Sequence, residues 1–255
     1  MTKEETARKI SRRKALGLIG AAGAAALVGY GLFGQPGSKE TSPEGPRAGK
    51  DANSISCVVT PSQTEGPYFV DDKLNRSDIR SNPANNLVKD GVQLRMKINV
   101  YRVDGGFCTP FTNALVDIWQ CDALGVYSDV LDQAGMFDTR GQKFLRGYQI
   151  TDKNGTVEFM TIYPGWYRGR TVHIHFKIRT NPAGQQGYEF TSQFYFDESI
   201  TNEVLAKVPY SGKPGRDTTN ATDGIFRESG AQLMLRLTKD GQGYLGIFDV
   251  GFKMN

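Results

Sequence analysis

Both histidines of this 255-residue chain fall in one seven-residue stretch, Val172-His173-Ile174-His175-Phe176-Lys177-Ile178. Apolar and polar residues alternate through it at period two, the pattern of a strand with one face in a core. Side chains two apart on a strand share a face, about 7 Å apart along the backbone. His173, His175 and Lys177 are therefore predicted to project one way, with Val172, Ile174, Phe176 and Ile178 packed on the other. Two imidazoles on one face can converge on a metal. A total of two excludes any site that needs three or more, including three-His zinc centres.

Further strands are predicted at Leu94–Val100, at Ala114–Trp119, and at Thr156–Ile162 after the turn Asp152-Lys153-Asn154-Gly155. Phe190–Phe196 and Tyr244–Phe252 add two aromatic-rich candidates. Short strands parted by Gly, Asn and Asp turns define a mainly β chain, an antiparallel β-sandwich with few short helices. One such helix is expected over Glu198–Val208, ahead of Pro209. A hydrophobic fraction of 38% over this length supplies a core of that size.

The formal charge of +4 sits at one end. Residues 1–14 carry six basic and two acidic side chains, which leaves 25 of each sign on the rest. A neutral body has no electrostatic footprint for nucleic acid, and none is expected as a partner. Arg12-Arg13 followed by uncharged Ala15–Gly34 has the layout of an export signal and resembles a twin-arginine signal, with Ala15 where Phe is common. Residues 1–34 are thus read as a signal peptide or N-terminal anchor, the chain touching a membrane only if the segment stays uncleaved. Residues 35–56, rich in Pro, Gly, Ser and charge, read as a flexible linker, and residues 57–255 as the folded domain. The three cysteines, Cys57, Cys108 and Cys121, allow at most one intramolecular disulfide.

Other ligands for a metal at His173 and His175 are scarce. No cysteines form a CxxC pair. A ferrous facial triad usually places its acid two residues after the first histidine, where this chain has His175. A cupin-type oxygenase would want a glutamate soon after the pair and a third histidine, yet Lys177, Ile178, Arg179 and Thr180 follow. Tyrosine remains. Two of the 11 stand in distinctive settings: Tyr127 in DIWQCDALGVYS (117–128) and Tyr167 in TIYPGWY (161–167). A non-catalytic extracellular sandwich that binds sugars or protein also fits the strands, but leaves both tyrosine segments unexplained.

These two segments and RTVHIHF (170–176), in that order, resemble the metal-binding segments of the intradiol ring-cleavage dioxygenases, the catechol and protocatechuate dioxygenases among them. TPSQTEGPYF (60–69) is similar to the substrate-side stretch of the protocatechuate members. The resemblance covers roughly residues 57–200 and implies non-haem Fe(III) held by Tyr127, Tyr167, His173 and His175. Phenols ionise near pKa ~10, so only a strongly Lewis-acidic ion would keep two of them charged at neutral pH. Two phenolates and a hydroxide would neutralise the ion. A catechol would shed two protons on binding, to the hydroxide and to one displaced tyrosinate, Tyr167. Cleavage with O2 between the two hydroxyl carbons would give a cis,cis-muconate-type diacid. The resemblance also places Arg170 beside the electron-rich ring, Pro67 and Tyr68 on the pocket wall, and Gln193 and Tyr195 around the metal ligands. Tyr163 and Tyr148 are assigned to structure.

Two departures bear on the substrate. The link from Tyr167 to His173 is only six residues, shorter than in well-known members, and removes part of one pocket wall. Trp166 and Arg168 stand where proline is common. The helical dimerisation domain of catechol members is not expected, which favours a compact relative of the protocatechuate type.

Overall fold

The computed structural model describes residues 58–180 and 187–254. The expected signal or anchor (1–34) and the linker (35–56) lie outside the described residues. The strands are β1 (Gln93–Asp104), β2 (Phe107–Pro110), β3 (Leu115–Trp119), β4 (Arg146–Ile150), β5 (Thr156–Ile162), β6 (His173–Arg179) and β7 (Glu189–Tyr195). Helices α1 (Glu198–Leu205) and α2 (Gly224–Ser229) follow, then β8 (Arg236–Asp240) and β9 (Gly243–Phe252). They form two sheets. In one, β1 lies between β9 on one side and β2 and β5 on the other, with β8 beyond β9; the second runs β4-β3-β6-β7.

The alternation in β1 is complete: Leu94, Met96, Ile98 and Val100 are fully buried between polar neighbours. They share a core with Val116 and Ile118 of β3, Ile174, Phe176 and Ile178 of β6, and Phe248 and Val250 of β9. This is the expected sandwich, with one pairing that differs from the antiparallel expectation. β1 and β9 run parallel, Leu94 opposite Tyr244 through Arg102 opposite Phe252.

The helix expected over Glu198–Val208 forms over Glu198–Leu205, its start fixed by the Asp197 carboxylate, which accepts from Ser199 N at 2.8 Å. Strands β2, β4 and β8 carry no clear apolar alternation and were not expected. Cys108 is disulfide-bonded, whereas Cys121 is a buried free thiol.

Three turns repeat one chemistry, Asp-x-x-Gly-x at 122–126, 132–136 and 152–156. In each, one carboxylate oxygen accepts the N–H groups two and four residues on, at 2.8–3.1 Å. The glycine takes a positive φ of 71–81°.

The second face of the β3-β6-β7 sheet is where the chain departs from a simple half-exposed sheet. His173, His175 and Lys177 point there together, yet all are buried. An extended strap over residues 60–72 covers them. Gln63 N donates to Thr191 O of β7 (3.0 Å), Lys177 Nζ pairs with Glu65 and lies 4.1 Å over the Phe69 ring, and Arg179 pairs with Asp71 (3.0 Å). Beneath the strap a second apolar cluster forms from Trp119, Cys121, Tyr127 and Val130, with Tyr68, Phe69, Phe137 and Tyr167 against it.

Candidate metal centre

Strand register assembles the first half of the site. Across the sheet Trp119 pairs with His175, His175 with Gln193, and His173 with Tyr195. The Trp119 indole stacks on the His175 ring at 5.0 Å and 8°. His173 Nδ1 lies 2.6 Å from the Thr171 carbonyl oxygen, which fixes the ring proton on Nδ1 and leaves the lone pair on Nε2. That Nε2 faces His175 Nε2 at 3.0 Å and Tyr167 Oη at 3.1 Å.

Two loops supply the tyrosines, and glycine lets their backbones touch. A Cβ on Gly125 would overlap the Trp166 carbonyl oxygen, and one on Gly165 would overlap the Ala123 carbonyl oxygen. Gly165 N donates to Asp122 O at 3.1 Å. Lys213 Nζ then bridges the loops, donating to Leu124 O (2.9 Å) and Trp166 O (3.1 Å). Tyr127 and Tyr167, each next to this seam, bring their rings to 5.6 Å and 74°.

Two polar atoms of this cluster are left without a hydrogen-bond partner among the described residues. Tyr127 is 1% exposed and its hydroxyl has no hydrogen-bond partner, nor does His175 Nδ1. Burial pushes the Tyr127 phenol well above its usual range and Tyr167 up to about 12, against the pull of Arg170. Both imidazoles are driven well below the ordinary histidine value by burial, and Arg170 adds to this. A cation among these atoms would ionise the phenols and use the imidazole lone pairs. Two phenolate oxygens with two imidazole nitrogens suit a hard, highly charged ion such as Fe(III). Among the described residues no cluster of three or more His, Cys, Asp or Glu could hold a metal, and the oxygen donors beside the two imidazoles are those of Tyr127 and Tyr167.

The remaining expected residues surround this cluster. Tyr68 stacks on Tyr127 at 4.4 Å and 24°, and its hydroxyl donates to Asp132 at 2.6 Å. Pro67 is exposed at the rim. Arg170 donates through Nη2 to Gln193 Oε1 (2.6 Å) and through Nε to Asp223 Oδ2 (2.9 Å). Gln193 Nε2 reaches back to Thr64 O (2.9 Å), and the Tyr195 hydroxyl donates to Gln63 Oε1 (2.8 Å), so both also hold the strap. Tyr163 is structural, its hydroxyl 2.7 Å from Thr201 Oγ1 in the core. Sequence reasoning missed Asp223 and Lys213, which meet the site only through the fold. Lys177 was placed on the histidine face but given no task.

A family model described as a dioxygenase, Dioxygenase_C, matches residues 64–211. An intradiol ring-cleavage dioxygenase from Tetranychus urticae is 32% identical with a TM-score of 0.66, over 77% of this chain and 95% of that one. The dioxygenase domain of a dioxygenase carbohydrate-binding protein fusion from Streptomyces sp. SirexAA-E is 30% identical with a TM-score of 0.54, over 78% and 100%. The protocatechuate 3,4-dioxygenase beta chain of Burkholderia cepacia is 35% identical over 122 residues, 44% of this chain and 49% of that protein, so the match spans about half of that relative. The chain belongs to the intradiol ring-cleavage dioxygenase family.

Proposed function

We propose that this enzyme is a non-haem Fe(III) dioxygenase that opens a catechol-type ring between its two hydroxyl-bearing carbons. Both atoms of O2 enter the product, a cis,cis-muconate-type diacid. Tyr127, Tyr167, His173 and His175 would hold the iron. The bound ion supplies Lewis acidity, which favours the diol dianion and its reaction with O2.

The two tyrosines differ in a way that divides the work. Tyr127 is sealed beneath Tyr68 and has nowhere to move, so it serves as a fixed ligand. Tyr167 is only partly buried and lies on the loop that leads to exposed Arg168 and Gly169. Its Oη would take a proton from the incoming diol. Arg170 offsets negative charge on the ring as the diol ionises. His173, held by Thr171 O, keeps its Nε2 aimed into the site. Trp119, Phe69 and Tyr68 keep bulk water from its inner side.

The observation that carries this reading is the buried, unpartnered Tyr127 hydroxyl beside two facing imidazole nitrogens. Purified protein is expected to be red-brown from tyrosinate-to-Fe(III) charge transfer. Y127F and Y167F should each perturb that band. Protein that stays colourless after reconstitution with iron overturns the reading, and a full band in either variant removes that tyrosine from the ligand set. Oxygen uptake with catechol, hydroxyquinol and protocatechuate assigns the ring substituent. Export by the twin-arginine route belongs to the same proposal, supported by Arg12-Arg13 and the uncharged Ala15–Gly34.

A further inference from the structure

Arg170 is held at two of its nitrogens, with a longer contact from Nη2 to the Tyr195 hydroxyl at 3.5 Å. Gln193 fixes its Nη2, and the carboxylate of Asp223, 1% exposed, fixes its Nε. The same Asp223 oxygen, Oδ2, accepts Thr171 N at 2.8 Å. Its other oxygen, Oδ1, caps α2 by accepting Ile225 N (2.8 Å) and Phe226 N (3.1 Å). One buried carboxylate therefore takes four N–H groups from two segments far apart in sequence, Arg170-Thr171 and Ile225-Phe226. Thr171 passes the restraint on, since its carbonyl oxygen is the atom that orients His173 Nδ1 at 2.6 Å.

The alternative position for the guanidinium is close at hand. A cavity of about 690 Å³ opens beside it, lined by Gly169, Arg170, Ile225, Arg227 and Glu228. Gln193 and Tyr195 both accept from the same nitrogen, Nη2, so without Asp223 only one end of the guanidinium is gripped. With Nε released, Arg170 can swing towards this cavity and the Glu228 carboxylate.

We propose that Asp223 is a positioning residue for the reaction: it sets the plane of the Arg170 guanidinium beside the diol and, through Thr171, the orientation of His173. The catalytic part of this rests on the function proposed above; the hold on Arg170 does not.

D223N separates the two tasks of this side chain. A carboxamide oxygen still caps α2, but the amide N–H2 then meets Arg170 Nε–H and Thr171 N–H, donor against donor. D223S is the second variant, because serine caps a helix yet is too short to hold the arginine. The first measurement is modification of Arg170 by phenylglyoxal, followed by mass spectrometry. It needs neither iron nor turnover. Arg170 should be protected in the wild type and modified at least about tenfold faster in D223N and D223S, since protection follows the population of the closed arrangement. Equal rates overturn the hold. The second is kinetic: kcat with catechol should fall on the order of tenfold to a hundredfold in D223N, as expected for a misplaced charge, with KM moving far less. In an R170Q background D223N should cost much less than it does in the wild type, the remainder passing through Thr171 to His173, whereas fully additive losses overturn the route through Arg170. A wild type that cleaves no diol overturns the proposed function and the catalytic part of this inference; the hold on Arg170 then stands or falls on the modification rates alone.

Discussion

Gly165 places its α-hydrogen where only hydrogen fits, against the carbonyl oxygen of Ala123. Ala123 and Gly165 each lie within four residues of a tyrosine of the site, so their contact sets how near Tyr127 and Tyr167 approach. G165A should push the loops apart and cost about 1–3 kcal/mol, the usual range for overpacking a tight contact. Calorimetry should show the lower Tm, and bound iron should fall with it. Gly169 is the control. Its φ is +81°, but a Cβ there meets nothing within 4 Å. G169A should lose about 1 kcal/mol from backbone strain alone and keep its iron.

Lys177 holds the strap to the sheet through Glu65 and the Phe69 ring, and pairs with Glu189 of the neighbouring β7. In K177M the methionine still fills the apolar space, and Glu65 and Glu189 are exposed enough to be rehydrated. The expected loss is about 1–2 kcal/mol, from the cation–π contact and a partly buried pair. Pro67 and Tyr68 ride on this strap, so KM for the diol should rise more than kcat falls. Steady-state kinetics beside a melting curve checks this, and an unchanged KM would free the strap of any part in binding.

Asp117 lies opposite Lys177 in the sheet and pairs with Arg179 at 2.8 Å, yet burial outweighs these cations and raises its carboxyl from 3.8 to about 6. The folded state then binds more protons than the unfolded chain between these values. Its contribution to stability is greatest below pH 3.8 and declines as pH rises through about 6. D117N lacks this term. Urea unfolding of both proteins across the interval should show D117N gaining on the wild type by about 1–3 kcal/mol as pH rises. A difference independent of pH would contradict it.

Iron should act as a structural tie as well as a reagent. Its four proposed ligands come from β6 and from two separate loops, a set that the unfolded chain does not present together. Saturating Fe(III) should raise stability by about 3–4 kcal/mol at a hundred to a thousand times Kd. A chelator should reverse the shift, and Y127F should show less of it. Scanning calorimetry with and without metal reads this directly.

The sandwich was legible because its core strands alternate. Leu94–Val100 and Val172–Ile178 carry an apolar residue at every second position, and each marks a strand. β4 was hidden because its residues, Arg-Gly-Tyr-Gln-Ile, carry no apolar alternation, and the fold buries Arg146 against Ser128 Oγ at 2.8 Å. β8 is a polar strand beside β9 with too little apolar content to announce itself. The four proposed ligands could be named from local segments that each keep their own motif. Asp223 and Lys213 could not, since nothing near them in sequence points to Arg170 or to the loop seam. Lys177 shows the limit of a two-faced reading of a strand: its polarity predicted exposure, but the strap supplies a carboxylate and an aromatic ring in place of water.

The parallel pairing of β1 with β9 governs when this fold can close. Leu94 waits for Tyr244, 150 positions later, so the central strand of the larger sheet lacks one neighbour until β9 has been made. Contacts of such long sequence separation slow folding and leave an open strand edge on the growing chain. The histidine strand and both tyrosine loops are synthesised inside that interval. The iron site should therefore mature only after β9 has been made, and a ribosome-bound chain stopped before β9 should bind no iron.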